Sequence, residues 1–238
     1  MSLDRKQIIT QVPSRIPDLI KTTADDGDYA LMVDSSGTPY KITKAKLLAG
    51  LSSGGGDTLA GGGTGGVSVS LTFANDADTN GLFYYLGTNK GSAAWSNPSG
   101  NLLTVIASSI GYGSPTTLVN RQGDKFWTDN ETNCWVSFLL QTGALKCNHY
   151  SIKSRSNDNG YYPRTWKLQG SNDGSTWTDL DVQIENTTLV SAGQWLSLSV
   201  AASSVYYSRF RLLKNGKDSA GYDFLCLDEV ELYGSFTP

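Results

Sequence analysis

The sequence predicts a mainly β protein whose larger part is an antiparallel β-sandwich. Residues Val67 to Phe73 alternate apolar and polar side chains, which is the pattern of a half-buried strand. Similar short segments recur between turn residues, and no long helical pattern interrupts them. We therefore expect a sandwich or jelly roll. Its other predicted strands are Leu102–Ala107, Cys134–Leu139, His149–Ser154, Thr165–Gly170, Gln194–Val200, Tyr206–Leu213 and Cys226–Tyr233.

Composition supports this fold class and disfavours two kinds of partner. The 238 residues include 26 glycines, and 17% of them are charged, as in β proteins with many turns. A formal charge of −3 disfavours nucleic acid, which selects a basic face. The chain has no apolar run of about 18 residues, so we expect no membrane insertion. The three cysteines lie in apolar runs and are expected to be small buried hydrophobic residues.

Residues 1–52 predict a small element in front of the sandwich. Tyr29 to Asp34 alternate as a strand does, Ser35–Gly37 supplies a turn, and Thr38–Ile42 is the returning strand of a hairpin. Thr43 then caps a short helix, Lys44–Ala49. Because such an element buries too little apolar surface to be stable alone, we expect it to form a trimer or to dock on a larger assembly.

Residues 53–66 are dominated by glycine and predict a flexible tether to the domain of residues 67–238. The alternative is a glycine-rich loop packed within one domain.

An ordered series of aromatic and turn residues carries a family resemblance across about two thirds of the chain. The motifs are Gly81–Gly87, Trp95–Pro98, Ser108–Ile110, Trp127–Asn130, Trp135–Phe138, Tyr161–Trp177, Phe210–Leu212 and Glu229–Gly234. Together they resemble the discoidin, or coagulation-factor type C, family of galactose-binding-like domains, in the variant found in some BTB/POZ and ubiquitin-ligase proteins. This resemblance implies a non-enzymatic sandwich that binds its ligand at the loops of one end.

By the same resemblance the ligand meets loops Asn120–Asn133, Ser154–Arg164 and Lys214–Phe224. Aromatic rings beside amide, carboxylate and guanidinium groups suit a sugar, which has an apolar face and a polar rim. Tyr162 and the tryptophans at family positions, Trp127 among them, are expected to pack in the core. The predicted ligand-binding residues are Asp129, Asn130, Arg155, Asn157, Asp158, Tyr161, Lys217 and Asp218. We expect the Ser154–Pro163 loop to be exposed, so that replacing Arg155 and Asp158 changes binding but not stability.

Calcium is a secondary expectation, because many carbohydrate-binding relatives hold a structural calcium ion. The corresponding carboxylates are Asp124 and either Glu229 or Glu231. Asn120 stands where an acidic residue is expected, which weakens the oxygen cage that calcium prefers. No other cofactor is expected.

Signals for catalysis are weak. His149 lies two residues from Cys147, on the same face of one predicted strand, but no orienting third group is evident. Carboxylates in the loops keep glycoside hydrolysis open as an alternative, although acidic residues are common in turns for conformational reasons. Asp173, in Asn172–Ser175, is expected to be a hairpin-turn residue.

The sequence thus favours a non-enzymatic binding protein. The N-terminal phrase Ile9–Pro13, the following strand and the helix with Leu47 and Leu48 are similar to the anchors of phage tail-fibre and baseplate proteins. We expect a homotrimeric tail or baseplate protein of the virion that binds host-surface glycan and other virion tail or baseplate proteins. The alternatives are a structural virion protein that contacts only protein, and a cellular adaptor that binds protein.

Overall fold

The computed structural model describes residues 29–33, 39–43, 68–156, 160–201 and 204–238. The chain divides into two units, residues 1–65 and 66–238. In the first unit, strand β1 (Tyr29–Val33) pairs antiparallel with β2 (Pro39–Thr43), with Tyr29 opposite Thr43. The predicted hairpin is confirmed. The predicted helix Lys44–Ala49 and the glycine tract 53–66 lie outside the described residues.

Two antiparallel sheets form the second unit. The four-stranded sheet has the order β10-β7-β13-β3, and the five-stranded sheet has the order β4-β6-β11-β8-β9. A short ladder joins β5 to β12, and a six-residue helix, α1, follows β3. The elements are β3 (Val69–Leu71), α1 (Leu82–Gly87), β4 (Leu103–Ala107), a 3-10 turn (Pro115–Val119), β5 (Phe126–Trp127), β6 (Trp135–Leu140), β7 (Ala144–Lys153), β8 (Trp166–Ser171), β9 (Thr178–Gln183), β10 (Trp195–Ser199), β11 (Arg209–Lys214), β12 (Cys226–Leu227) and β13 (Glu229–Thr237).

The predicted antiparallel sandwich is confirmed, with two differences in its strands. Strand β7 begins at Ala144 rather than at His149. Strand β9 was not predicted, because it is an edge strand without a buried face and its sequence therefore lacks apolar alternation. The turn before β9 is as predicted, since Asp173 Oδ1 accepts hydrogen bonds from Ser175 N at 2.8 Å and Thr176 N at 2.7 Å.

A hydrogen-bonded chain crosses the core between the sheets. Trp166 of β8 and Tyr150 of β7 are 1% and 0% exposed. The indole Nε1 of Trp166 donates to Tyr150 Oη at 2.9 Å, and that hydroxyl donates to Asp181 Oδ2 at 2.7 Å. Because the polar atoms of buried Trp and Tyr need partners, this chain fixes one sheet over the other. The prediction that Trp166 is a core residue is confirmed.

Glu231 of β13 caps helix α1 from inside the protein. Its carboxylate accepts hydrogen bonds from Phe83 N at 2.7 Å, Tyr84 N at 3.1 Å and Leu232 N at 3.0 Å. Gly81 permits this approach, because a Cβ there would lie 2.2 Å from Glu231 Cγ. Burial raises the pKa of Glu231 to about 7, against the lowering effect of these N–H groups.

Arg121 completes this cap region with a positive charge. Its guanidinium donates to Ala77 O at 2.7 Å and to Asp78 O at 3.0 Å, and it lies 3.9 Å from Glu231 Oε2. It also stacks over the Tyr84 ring, 5.0 Å from the centroid. The arginine therefore ties the loop before α1 to the strand that caps it.

The cysteine prediction is also confirmed, since Cys134, Cys147 and Cys226 are buried and free. No helix within the described ranges is long and apolar enough to cross a bilayer.

Candidate functional site

Four loops meet at one end of the sandwich. Strand β11 ends at Lys214 opposite Trp166, where β8 begins, and Leu213 pairs with Trp135, the first residue of β6. Strand β4 ends at Ala107 opposite Val136, so the loop after it lies at the same end. We call the surface that their described residues form the loop-end surface. Its residues are 108–114, 127–134, 154–156, 160–165 and 215–225.

Arg155, at this end of the sandwich, lies against two aromatic rings. Its guanidinium carbon is 4.9 Å from the Trp127 ring centroid and 5.2 Å from that of Tyr161. Arg155 is only 6% exposed, so the expectation that it is an exposed loop residue is wrong. Stacking against both rings removes the side chain from water and makes Arg155 a support for them.

Tyr161, Tyr222 and Phe224 form an aromatic cluster beside Arg155. Their ring centroids are 5.7 to 5.8 Å apart. Tyr222 is 45% exposed, whereas Tyr161 and Phe224 are half-buried. Tyr161 has a φ of 59°, a left-handed conformation that is uncommon outside glycine and asparagine. The fold therefore holds the backbone of Tyr161 in an uncommon conformation, of the kind that also occurs at ligand sites.

A second stacked pair extends the aromatic surface and was not predicted. The rings of Tyr112 and Trp127 stack with centroids 4.3 Å apart and an interplanar angle of 11°. Tyr112 is 52% exposed. The neighbouring glycines make room for it, since a Cβ at Gly111 would lie 2.6 Å from Thr128 O and one at Gly113 would lie 2.2 Å from Lys125 O. The Gly-Tyr-Gly phrase was the sequence signal, and Trp127 is a member of this surface as well as a packing residue.

Asp129, Asn130 and Lys217 lie on the same surface, as predicted. Asp129 and Asn130 are exposed, and Asn130 Oδ1 accepts a hydrogen bond from Asp223 N at 2.8 Å. Lys217 pairs with the Asp223 carboxylate and keeps 61% of its side chain exposed. Asp223 therefore joins two of the loops.

Asp218, a predicted ligand-binding residue, is only 5% exposed, so it is not an open loop residue. Its Oδ1 accepts hydrogen bonds from Ala220 N and Tyr222 N, both at 2.9 Å. Asp218 thus shapes the turn that presents Tyr222. Asn157 and Asp158 lie outside the described residues. Tyr162 is buried, as expected for a core residue.

The calcium candidates do not fit a calcium cage. Glu229 is buried beside Lys153, whose Nζ lies 3.5 Å from its Oε1, and burial raises the pKa of the Glu229 carboxyl. Asp124 is exposed and accepts a hydrogen bond from Asn120 Nδ2 at 2.7 Å. Glu231 is occupied by the helix cap. Within the described part of the chain, no group of three or more His, Cys, Asp or Glu side chains is arranged to hold a metal ion.

Cys147 and His149 do not form a nucleophilic pair. The Cys147 thiol donates to the backbone oxygen of His149 at 3.4 Å, and burial raises the pKa of this thiol to about 12. The His149 ring stacks on Phe73 with centroids 4.1 Å apart. Both residues therefore pack in the sandwich.

Comparison with known proteins finds sequence relatives for this domain. No protein-family model matches the chain. It is 32% identical over 181 residues to the BTB/POZ domain-containing protein At2g30600 of Arabidopsis thaliana, and 30% identical over 173 residues to the E3 ubiquitin-protein ligase Ufd4 of Drosophila melanogaster. These alignments cover 70% and 69% of this chain but only 22% and 6% of the relatives. The chain thus spans about a fifth or less of the length of these curated relatives.

Among solved structures, the chain is similar to the module CpGH89CBM32-5 from Clostridium perfringens, determined in complex with GalNAc-β-1,3-galactose. The TM-score is 0.47 at 13% identity, and the match covers 56% of this chain and 95% of that one. The resemblance to BTB/POZ and ubiquitin-ligase proteins is confirmed as sequence similarity. The resemblance of residues 1–52 to phage anchors stays a prediction.

Proposed function

We propose that the domain of residues 67–238 is a non-enzymatic module that binds glycan at the loop-end surface. The observation that carries this proposal is the aromatic cluster of Tyr161, Tyr222 and Phe224 beside the stacked Arg155 and Trp127. Partly exposed rings held in fixed orientations offer flat apolar faces at little cost in conformational entropy.

Polar groups at the edge of the rings suit the hydroxyl rim of a sugar. Asp129 and Asn130 supply carboxylate and amide groups, and Lys217 supplies an exposed ammonium group. Hydroxyls both donate and accept hydrogen bonds, so a mixture of donors and acceptors around an aromatic face recognises them. A ligand with an apolar face and a polar rim matches this arrangement better than a purely charged ligand does.

The proposal assigns no catalytic group, and three residues that the sequence offered for chemistry have structural contacts instead. Cys147 and His149 are packed in the sandwich, and Asp218 is used by its own turn.

A glycan array with the full chain tests the proposal. Tyr222→Ser removes an exposed ring, and we expect it to weaken glycan binding about tenfold or more while leaving the melting temperature nearly unchanged. Val205→Ser is the matched control, because Val205 is 43% exposed and precedes β11, at the opposite end of the sandwich. If both variants bind as the wild type does, the loop-end surface is not the glycan site.

Protein recognition is a second candidate, and it is favoured by the sequence similarity to a BTB/POZ protein and an E3 ubiquitin ligase. In this case the chain would act as an adaptor domain. The Tyr222→Ser variant also tests this function. The adaptor is favoured if a purified partner protein binds the wild type in the presence of excess free sugar but does not bind Tyr222→Ser.

We further propose that residues 1–52 attach the module, as a homotrimer, to a phage tail or baseplate. The support is the Ile9–Pro13 phrase, the β1–β2 hairpin and the small apolar content of the segment. Light scattering of the full chain tests the trimer, and a monomer in solution contradicts it. Electron microscopy of particles from the source tests the virion location, and it also separates host attachment from a purely structural virion role.

A further inference from the structure

A cavity of about 490 Å³ lies away from the loop-end surface, between the edge strand β3 and helix α1. We call it the groove. Ser70 and Thr72 lie on its strand side, Thr79 and Asn80 on the loop before the helix, and Tyr84 and Tyr85 on the helix. Its volume falls within the range of small-molecule sites, about 300 to 1,000 Å³.

The groove is lined by uncharged residues and exposes both apolar and polar surface. The described residues that form it are serine, threonine, asparagine, tyrosine, leucine, glycine and alanine. No charged side chain lines the groove, so an ion bound there would gain no ion pair from its walls. This lining favours a neutral molecule that makes several hydrogen bonds.

The two tyrosines are held in place through their rings, whereas their hydroxyls are available. Arg121 lies over the Tyr84 ring at 5.0 Å, and Phe236 meets the Tyr85 ring edge-on at 5.9 Å. The structure gives neither phenol, nor the Thr79 hydroxyl, a hydrogen-bond partner among the described residues. Fixed rings with available hydroxyls form a preorganised set of apolar faces and hydrogen-bonding groups.

We infer that the groove is a second binding site, for a neutral saccharide. Hydroxyl and amide groups match the donors and acceptors of sugar hydroxyls, and the tyrosine rings match the apolar face of the sugar. None of its lining residues belongs to the loop-end surface, so the inference goes beyond the proposed function and stands or fails separately. Two sites on one module would raise the avidity for a glycan-coated surface without any new contact at either site.

The test is an array that carries neutral glycans, anionic glycans and uncharged tetrapeptides, probed with the full chain. The groove variant Thr79→Val/Tyr84→Phe/Tyr85→Phe removes three hydroxyls and keeps the rings, and Tyr222→Ser serves as the loop-end comparison. We expect a set of neutral glycans to bind the wild type and Tyr222→Ser alike and to lose about tenfold or more in affinity with the groove variant. The anionic glycans should be unaffected by the groove variant.

Three results overturn the inference. In the first, the groove variant keeps every neutral-glycan signal. In the second, the wild type binds no neutral glycan. In the third, the groove variant loses only the tetrapeptide signals, which would show that the groove binds a peptide added as a strand to β3. If the triple variant does not fold, Thr79→Arg replaces it. Thr79 is exposed, so this substitution leaves the core intact and places a long charged side chain at the rim of the groove.

Discussion

Arg121 and Arg155 both stack on aromatic rings, but Arg121 belongs to the helix-cap region and Arg155 belongs to the loop-end surface. Arg121 keeps 24% of its side chain exposed, and its guanidinium is surrounded by backbone carbonyls and the Glu231 carboxylate. Arg155 is only 6% exposed, but both of its ring partners, Trp127 and Tyr161, are partly open to solvent. The more buried arginine is therefore the one at the proposed recognition surface. The surroundings of each arginine, rather than its depth of burial, distinguish a structural tie from a support for partly exposed rings.

The largest expected effect is on the core that carries both regions. Trp166→Ala removes a fully buried indole and leaves Tyr150 Oη without its donor, so we expect a loss of about 3–5 kcal/mol in the free energy of unfolding. Urea denaturation measures it. Trp177→Ala is the control, because Trp177 is only half-buried, with Arg211 stacked over it at 4.2 Å, and should cost clearly less. Equal losses would show that Trp166 is not the central core residue.

The next largest expected loss of stability follows from a substitution in the helix-cap region. Arg121→Met keeps the length of the side chain but removes its hydrogen bonds to two carbonyls and the positive charge near Glu231. We expect a loss of about 2 kcal/mol in unfolding free energy, since a buried carboxylate then has no counter-charge. Lys146→Met, which removes only a cation–ring contact 5.6 Å from Tyr206, is the control. An unchanged denaturation midpoint for Arg121→Met would rule out its role as a structural tie.

The strands were predictable where one buried face requires apolar residues at regular spacing in the sequence. Val67–Phe73 alternates apolar and polar residues, and strand β3 lies within this segment with Leu71 buried and Ser70 exposed. Strand β4 lies within Leu102–Ala107, where Leu103 and Val105 are buried. Strand β9 was missed because neither of its faces is buried.

The candidate site was predictable as a set of loops but not as a set of side-chain positions. The stacking of Arg155 depends on Trp127, a residue distant in sequence, and no local pattern encodes that contact. Asp218 resembles an exposed ligand group in sequence, yet its turn uses the carboxylate internally. Tyr112 carried a signal in its flanking glycines, which allow the backbone to approach Thr128 and Lys125.

The raised pKa of Glu231 predicts a pH dependence that is specific to the cap. Its folded-state pKa of about 7 lies above the ordinary 4.5, so the folded protein binds more protons than the unfolded chain between these values. This contribution to stability is fully present below pH 4.5 and is lost as the pH rises through 7. Relative to Glu231→Gln, the wild type should lose on the order of 2–3 kcal/mol between pH 5 and 8. Thermal melts of both proteins across this range measure the difference, and parallel curves would contradict the assigned pKa.

Arg155→Ala makes the corresponding test at the loop-end surface. It removes the support between Trp127 and Tyr161, and we expect a loss of about 1–2 kcal/mol in unfolding free energy together with weaker glycan binding. Arg155→Lys keeps the charge but loses the flat stacking surface, so it should recover stability only in part. Urea denaturation and the glycan array measure the two effects. Wild-type binding by a destabilised Arg155→Ala protein would separate Arg155 from recognition altogether.

The smallest expected effect on stability belongs to Lys217, the exposed cation of the loop-end surface. Its partner Asp223 is also held through its backbone N–H by Asn130 Oδ1, so the loop keeps its position when the ion pair is removed. Lys217→Ala should therefore change the free energy of unfolding by less than about 0.5 kcal/mol, as exposed ion pairs usually do. Glycan binding should still weaken, since the ammonium group is the donor most open to a ligand there. Melting curves and array binding at low and high salt measure both quantities. A large loss of stability would instead make Lys217 a structural tie like Arg121, and unchanged binding would move recognition onto the aromatic rings alone.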